Sequence, residues 1–95
     1  MGEFIAELYV SRADEAGAEG LSRRVRAAAE ELTREGIPVR YLRSIFVPDD
    51  ETCFVLCEAP SAGAVCETAA RASLRFARIA HAVTPLVDQE AHSCT

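Results

Sequence analysis

Several features are missing from this chain of 95 residues, and each absence excludes a class of protein. No long apolar run occurs, so no membrane-spanning helix is expected. No basic stripe occurs either. Acids interleave with the ten basic residues, and the net charge is −5. A nucleic-acid module needs clustered positive charge to meet phosphates, so that class is set aside. The four cysteines include no Cys-x-x-Cys pair, which argues against a structural zinc site. Cys53 and Cys57 stand four apart on one expected strand, about 13 Å by strand rise, too far to bridge each other. No leader-like segment is visible, because MGEFIAELYV already alternates as a strand does. The expectation is a cytoplasmic protein with reduced thiols and with neither membrane nor nucleic acid as partner.

What is present favours a folded domain. Hydrophobic residues make up 49% of the chain, too many for disorder. One domain is expected over residues 1–88, with a flexible tail over 89–95. The chain centres on Pro38 to Pro60, where two runs rich in β-branched and aromatic residues flank Pro48-Asp49-Asp50-Glu51. That pattern predicts a β-hairpin. Glu3 to Val10 alternates as a first strand. Ser11 to Gly20 reads as a loop leading into a helix, since it holds two glycines. Leu21, Val25, Ala28 and Leu32 then follow at helical spacing, and Gly36 with Pro38 ends that helix. Ser61 is an N-cap candidate for a second, Ala-rich helix, and Ile79 to Val87 alternates once more.

The order β-α-β-β-α-β predicts a ferredoxin-like α+β fold: a four-stranded antiparallel sheet, order 4-1-3-2, with two helices on one face. Phe4, Leu8, Leu42, Phe46, Phe54 and Leu56 are then expected to meet the helices. The open face is expected to carry Glu7, Tyr9, Tyr41, Arg43, Cys53, Cys57 and His81 among Ile5, Val39, Ile45, Val55, Ile79 and Val83. So large an apolar face calls for a cover, and a homodimer contact is the plain reading. A sharper reading adds a metal or small-molecule site between two sheets.

Each candidate residue has a structural and a functional reading. His81 is a hydrogen-bonded imidazole, or else a ligand or base. Glu7 is half of an ion pair with Arg43, or else a desolvated general base. Cys53 and Cys57 are small core fillers, or else ligands for a soft metal. Cys66 packs on its helix or is exposed. Asp49, Asp50 and Glu51 form a solvated turn or hold a hard cation, and His92 and Cys94 in the tail bind metal only adventitiously. As an enzyme, the chain would be a cofactor-independent isomerase, cyclase or lyase. Glu7 or His81 would take a proton, Arg43 would hold a carboxylate, and Tyr9 or Tyr41 would donate to an oxyanion.

At Tyr41-Leu42-Arg43-Ser44, Phe46-Val47-Pro48-Asp49-Asp50-Glu51-Thr52-Cys53-Phe54 and Glu58-Ala59-Pro60-Ser61 the chain resembles a small family of nickel-binding ferredoxin-like proteins. The likeness runs from about Glu3 to Val87. It implies the fold above, dimerisation and nickel binding without catalysis, with His81, Cys53 or Cys57 and Glu7 as the available donors. The family pattern differs where Arg43, Val55 and Thr68 stand, at positions that carry His, Cys and His in many relatives. Ser73, Arg75 and Ala77 replace Gly, Pro and Asp.

Overall fold

The structure is a computed structural model that describes residues 1–87. The elements are β1 (Gly2–Tyr9), α1 (Glu15–Arg34), β2 (Arg40–Val47), β3 (Thr52–Ala59), α2 (Ala62–Arg71) and β4 (Arg78–Ala82). A short 3-10 turn over Pro48–Asp50 joins β2 to β3. The sheet order is β2-β3-β1-β4, and every neighbouring pair is antiparallel. Both helices share one hydrophobic core with one face of the sheet. This is the ferredoxin-like α+β fold. The expected tail, with His92 and Cys94, lies outside the described residues.

Local chemistry sets the helix ends. α1 starts at Glu15, earlier than its hydrophobic spacing suggests, because Asp14 caps it. The Asp14 carboxylate accepts from the Gly17 N–H at 2.9 Å. A side chain at Gly17 would run into that carboxylate, so the glycine that reads as a loop residue instead makes room for the cap. At the other end, Gly36 adopts φ +98°. The Ile37 N–H then reaches the Leu32 carbonyl at 2.9 Å, and the Gly36 N–H reaches that of Thr33 at 3.1 Å. This pair of bonds is a Schellman motif.

α2 is capped by Ser61, as its sequence predicts, and ends in the same motif. There the left-handed residue is Ser73, at φ +59°. The Leu74 N–H reaches Ala69 at 2.9 Å and the Ser73 N–H reaches Ala70 at 3.1 Å. Arg24 of α1 clasps this turn. Its guanidinium donates to the carbonyls of Ala72 and Ser73 at 3.0 to 3.2 Å. Beyond it, Arg71 ties the helices together through Glu31, Glu35 and Glu67.

Strand pairing corrects the expected faces. Directly opposite residues of an antiparallel pair lie on the same side of the sheet. Phe46 faces Cys53, and Leu8 faces Cys53 from the other flank. Cys53, Val55, Cys57 and Ala59 therefore point at the helices and are all buried. Phe54 and Leu56, expected inside, lie on the open face. A bulge at Leu42 shifts the register between Tyr41 and Arg43. It turns Tyr41 and Val39 to the helix side while Arg43 and Ile45 stay on the open side. His81 faces Phe4, and Ile79 faces Ala6, so both also lie on the helix side. The expected open-face placements of Tyr41, Cys53, Cys57 and His81, and of Val39, Val55 and Ile79 beside them, are thus reversed.

The left-handed conformation at Ser73 is costly for a residue with a Cβ, by roughly 1–2 kcal/mol. Ser73→Gly should raise stability by about 1 kcal/mol in urea denaturation, and an unchanged or lowered midpoint would contradict this account of the cap.

Candidate functional site

The open face is built as rows across the strands. One row runs Arg43, Leu56, Ile5, Ala80. The next runs Ile45, Phe54, Glu7, Arg78, and a third runs Arg40, Glu58, Glu3, Ala82. The apolar centre is Ile5, Ile45, Phe54 and Leu56. Ile45 is 43% exposed, and Tyr9 at the end of β1 is 70% exposed.

The charges on this face are mostly paired within it. The Glu7 carboxylate is 2.9 Å from the Arg78 guanidinium. Arg40 and Glu58 pair at 3.1 Å. Arg43, the expected partner of Glu7, belongs to a different row on a strand two removed from β1. It makes no ion pair among the described residues, and neither does Glu3. The partner Arg78 carries no signal in the sequence beyond its place opposite Glu7 in the register of β1 against β4.

The other candidates do not converge with Glu7. His81 is exposed on the helix side, where its ring sits edge-on to Phe4 with centroids 5.5 Å apart. A side chain at Gly2 would come within 3.0 Å of its Nε2, so glycine there leaves the imidazole its space. Cys53 and Cys57 are closed in the core, at 0% and 1% exposure. Burial pushes the Cys57 thiol up to about 11. Burial also raises the Cys53 thiol, offset in part by a hydrogen bond with Ser44. Both remain protonated at neutral pH, and a protonated thiol is neither a nucleophile nor a good metal ligand. Tyr9 lies at the far end of the sheet, with its hydroxyl 3.4 Å from Glu51. Val55 and Thr68 are buried on the helix side, away from Arg43.

One polar cluster is absent from the sequence reading. The Ser22 hydroxyl lies 2.8 Å from the Ala18 carbonyl and 2.7 Å from the Ser44 hydroxyl. Ser22 is the donor in both contacts, so its single proton is shared between the Ala18 carbonyl and the Ser44 oxygen. The Tyr41 hydroxyl, 2.9 Å from Ser44, completes the run. The bulge makes this cluster by turning Tyr41 inward, and nothing in the residue alternation signals it.

A model of the family described as "Nickel responsive protein SCO4226-like" matches residues 8–81. The chain belongs to this family. No curated protein and no solved structure matches it. The description of the family raises the question of donors. Nickel takes imidazole and thiolate readily, and a firm site needs several such groups together. Among the described residues no three His, Cys, Asp or Glu side chains are grouped so as to hold a metal ion. The expected set of Glu7, Cys53, Cys57 and His81 is divided between a paired carboxylate, two core thiols and an exposed imidazole on the opposite side of the sheet. Within one protomer these residues do not fit a nickel centre.

The thiols provide a direct check on this geometry. Cys66 is exposed on α2, whereas Cys53 and Cys57 are buried. Brief iodoacetamide treatment of the native protein should label Cys66 and spare the other two, with all three reacting in denaturant. Peptide mass mapping reads the result, and native labelling of Cys57 at the rate of Cys66 would overturn the closed-core placement.

Proposed function

We propose that the chain is a homodimeric binding protein of the nickel-responsive family, joined through its open sheet face and acting without catalysis. The observation that carries the dimer is the apolar patch of Ile5, Ile45, Phe54 and Leu56, left on a sheet face with no helix to cover it. Such a patch, rimmed by charge, is the form of a self-complementary contact. The two open-face charges without an ion-pair partner among the described residues, Glu3 and Arg43, have opposite sign. A two-fold contact can set Arg43 against the partner's Glu3. The location proposed is the cytoplasm. No helix of the described residues is long and apolar enough to cross a membrane.

The metal part of this reading rests on the family and on His81. Its imidazole is the soft-metal donor among the four candidates that is both accessible and free of an ion pair. An enzymatic role is not favoured, because Glu7 is held by Arg78 while Arg43 and His81 lie apart from it and from each other.

Light scattering should give about twice the chain mass of 10.3 kDa. Ile45→Asp should return the mass of one chain, since association would bury an unpaired charge. A monomeric wild type, or an unaffected variant, removes the sheet-face contact. Calorimetry on tag-free protein should show nickel binding that His81→Ala weakens. Binding no tighter than roughly millimolar, or binding indifferent to His81→Ala, ends the metal reading of His81.

A further inference from the structure

On the helix side of the β2 edge, α1 presents one of its faces at helical spacing: Arg26, Ala29, Glu30, Thr33 and Arg34. Together with the chain entering β2, this face borders an open groove of about 720 Å³. The floor is apolar. Ala29 and Val39 are buried there, and Pro38 and Leu42 complete the wall. Thr33 fixes the spacing of the two sides. Its hydroxyl donates to the Val39 carbonyl at 2.9 Å and accepts from the Val39 N–H at 3.1 Å. A second hollow of about 370 Å³, with Ser22 and Ser44 in its lining, shares Arg26 and Tyr41 with the groove.

The charge of the groove runs against that of the chain. The net charge is −5, yet Arg26 and Arg34 line the groove and form no ion pair among the described residues. The acid in the lining is Glu30, one helical turn from each. The third arginine, Arg40, is engaged by Glu58. A guanidinium stays charged at any physiological pH and presents a fork of donors matched to a carboxylate. Beside an apolar floor, that is a recognition surface for an amphipathic anion. Inorganic phosphate would leave the floor wet, and a plain hydrocarbon would leave both guanidiniums unmet.

We infer that this groove binds a small organic carboxylate with an apolar body. The body lies on Pro38, Val39 and Leu42, and the carboxylate accepts from Arg26 beside Tyr41. A hollow of this size suits a ligand of ordinary small-molecule dimensions. The site lies on the opposite side of the sheet from the proposed dimer contact and uses none of its residues. It is also independent of nickel, so either reading can fail without the other.

The test uses decanoate below its micelle concentration, titrated into the untagged full chain and followed by backbone amide NMR. Shift changes should concentrate in the second half of α1 and the first half of β2. Decanol, which has a body of equal length and no charge, should bind about tenfold more weakly, and Arg26→Gln should weaken decanoate to a similar degree. Glu30→Gln should tighten it. Arg26 and Glu30 are exposed, so both variants should keep the wild-type circular dichroism spectrum. Three results would each overturn the inference: no shift changes at about millimolar decanoate, changes confined to the open sheet face, or equal binding by decanol and by Arg26→Gln.

Discussion

The packing of one sheet face against two alanine-rich helices is the constraint on which the rest of this structure depends. The sheet offers Ala6, Cys53, Val55, Cys57 and Ala59 to the helices. The helices answer with Ala18, Ala28, Ala29, Ala64, Ala69 and Ala72. Larger side chains fill the rest: Leu8, Leu21, Val25, Leu32 and Val65 are buried there, and Phe4, Phe46 and Phe76 pack against them. Interiors pack to nearly crystalline density, so the small and large side chains must interdigitate across this boundary. A buried polar group in this interior must still find a partner. Thr68 does this by donating to the Ala64 carbonyl at 2.8 Å, one turn back on its own helix. No buried side-chain nitrogen or oxygen among the described residues lacks a partner.

The inner positions of β3 determine what is left for the opposite face. Cys53, Val55, Cys57 and Ala59 take them, so the pleat places Phe54 and Leu56 outward with Ile5 and Ile45. The small thiols take the inner positions of β3. Their chemistry is thereby given up to packing, since burial keeps them protonated. The two β3 thiols that look reactive in the sequence are absorbed by the core. Cys66, Arg26, Arg34, Arg43 and the His81 imidazole remain exposed.

Much of the fold is legible from residue order. Gly36 before Pro38, Ser61 after Pro60, and the acidic turn at Pro48 to Glu51 mark boundaries that the structure keeps. The topology follows from the order of elements and the handedness of crossovers. The faces were less legible, for a physical reason. Alternation tells which residues share a side of one strand but not which side that is. Bulk suggests that Phe54 points inward, whereas its pairing with Ile45 and Glu7 requires the reverse. The candidate site suffered most from this ambiguity. His81 and Glu7 do lie on neighbouring strands, as expected, but Glu7 faces Arg78 while His81 faces Phe4 across the pleat. The Ser22–Ser44–Tyr41 cluster depends on a bulge that no residue type announces.

That bulge also bears on how the chain can diverge. Because alternation resets at Leu42, the two halves of β2 run out of phase by one residue. The earlier half is moored to α1 through Thr33 and Val39, and the later half is moored to β3 through the hairpin. Losing Leu42 would simply close the bulge: Tyr41 opposite Cys57 and Arg43 opposite Leu56 would become consecutive pairs, and both halves would keep their faces. Gaining one would widen the irregularity with no partner for the added peptide group. Exchange of the residue at Leu42, by contrast, leaves both moorings in place. Within this strand the bulge residue can therefore be exchanged or lost without turning the interior over, whereas an added residue finds no partner on β3.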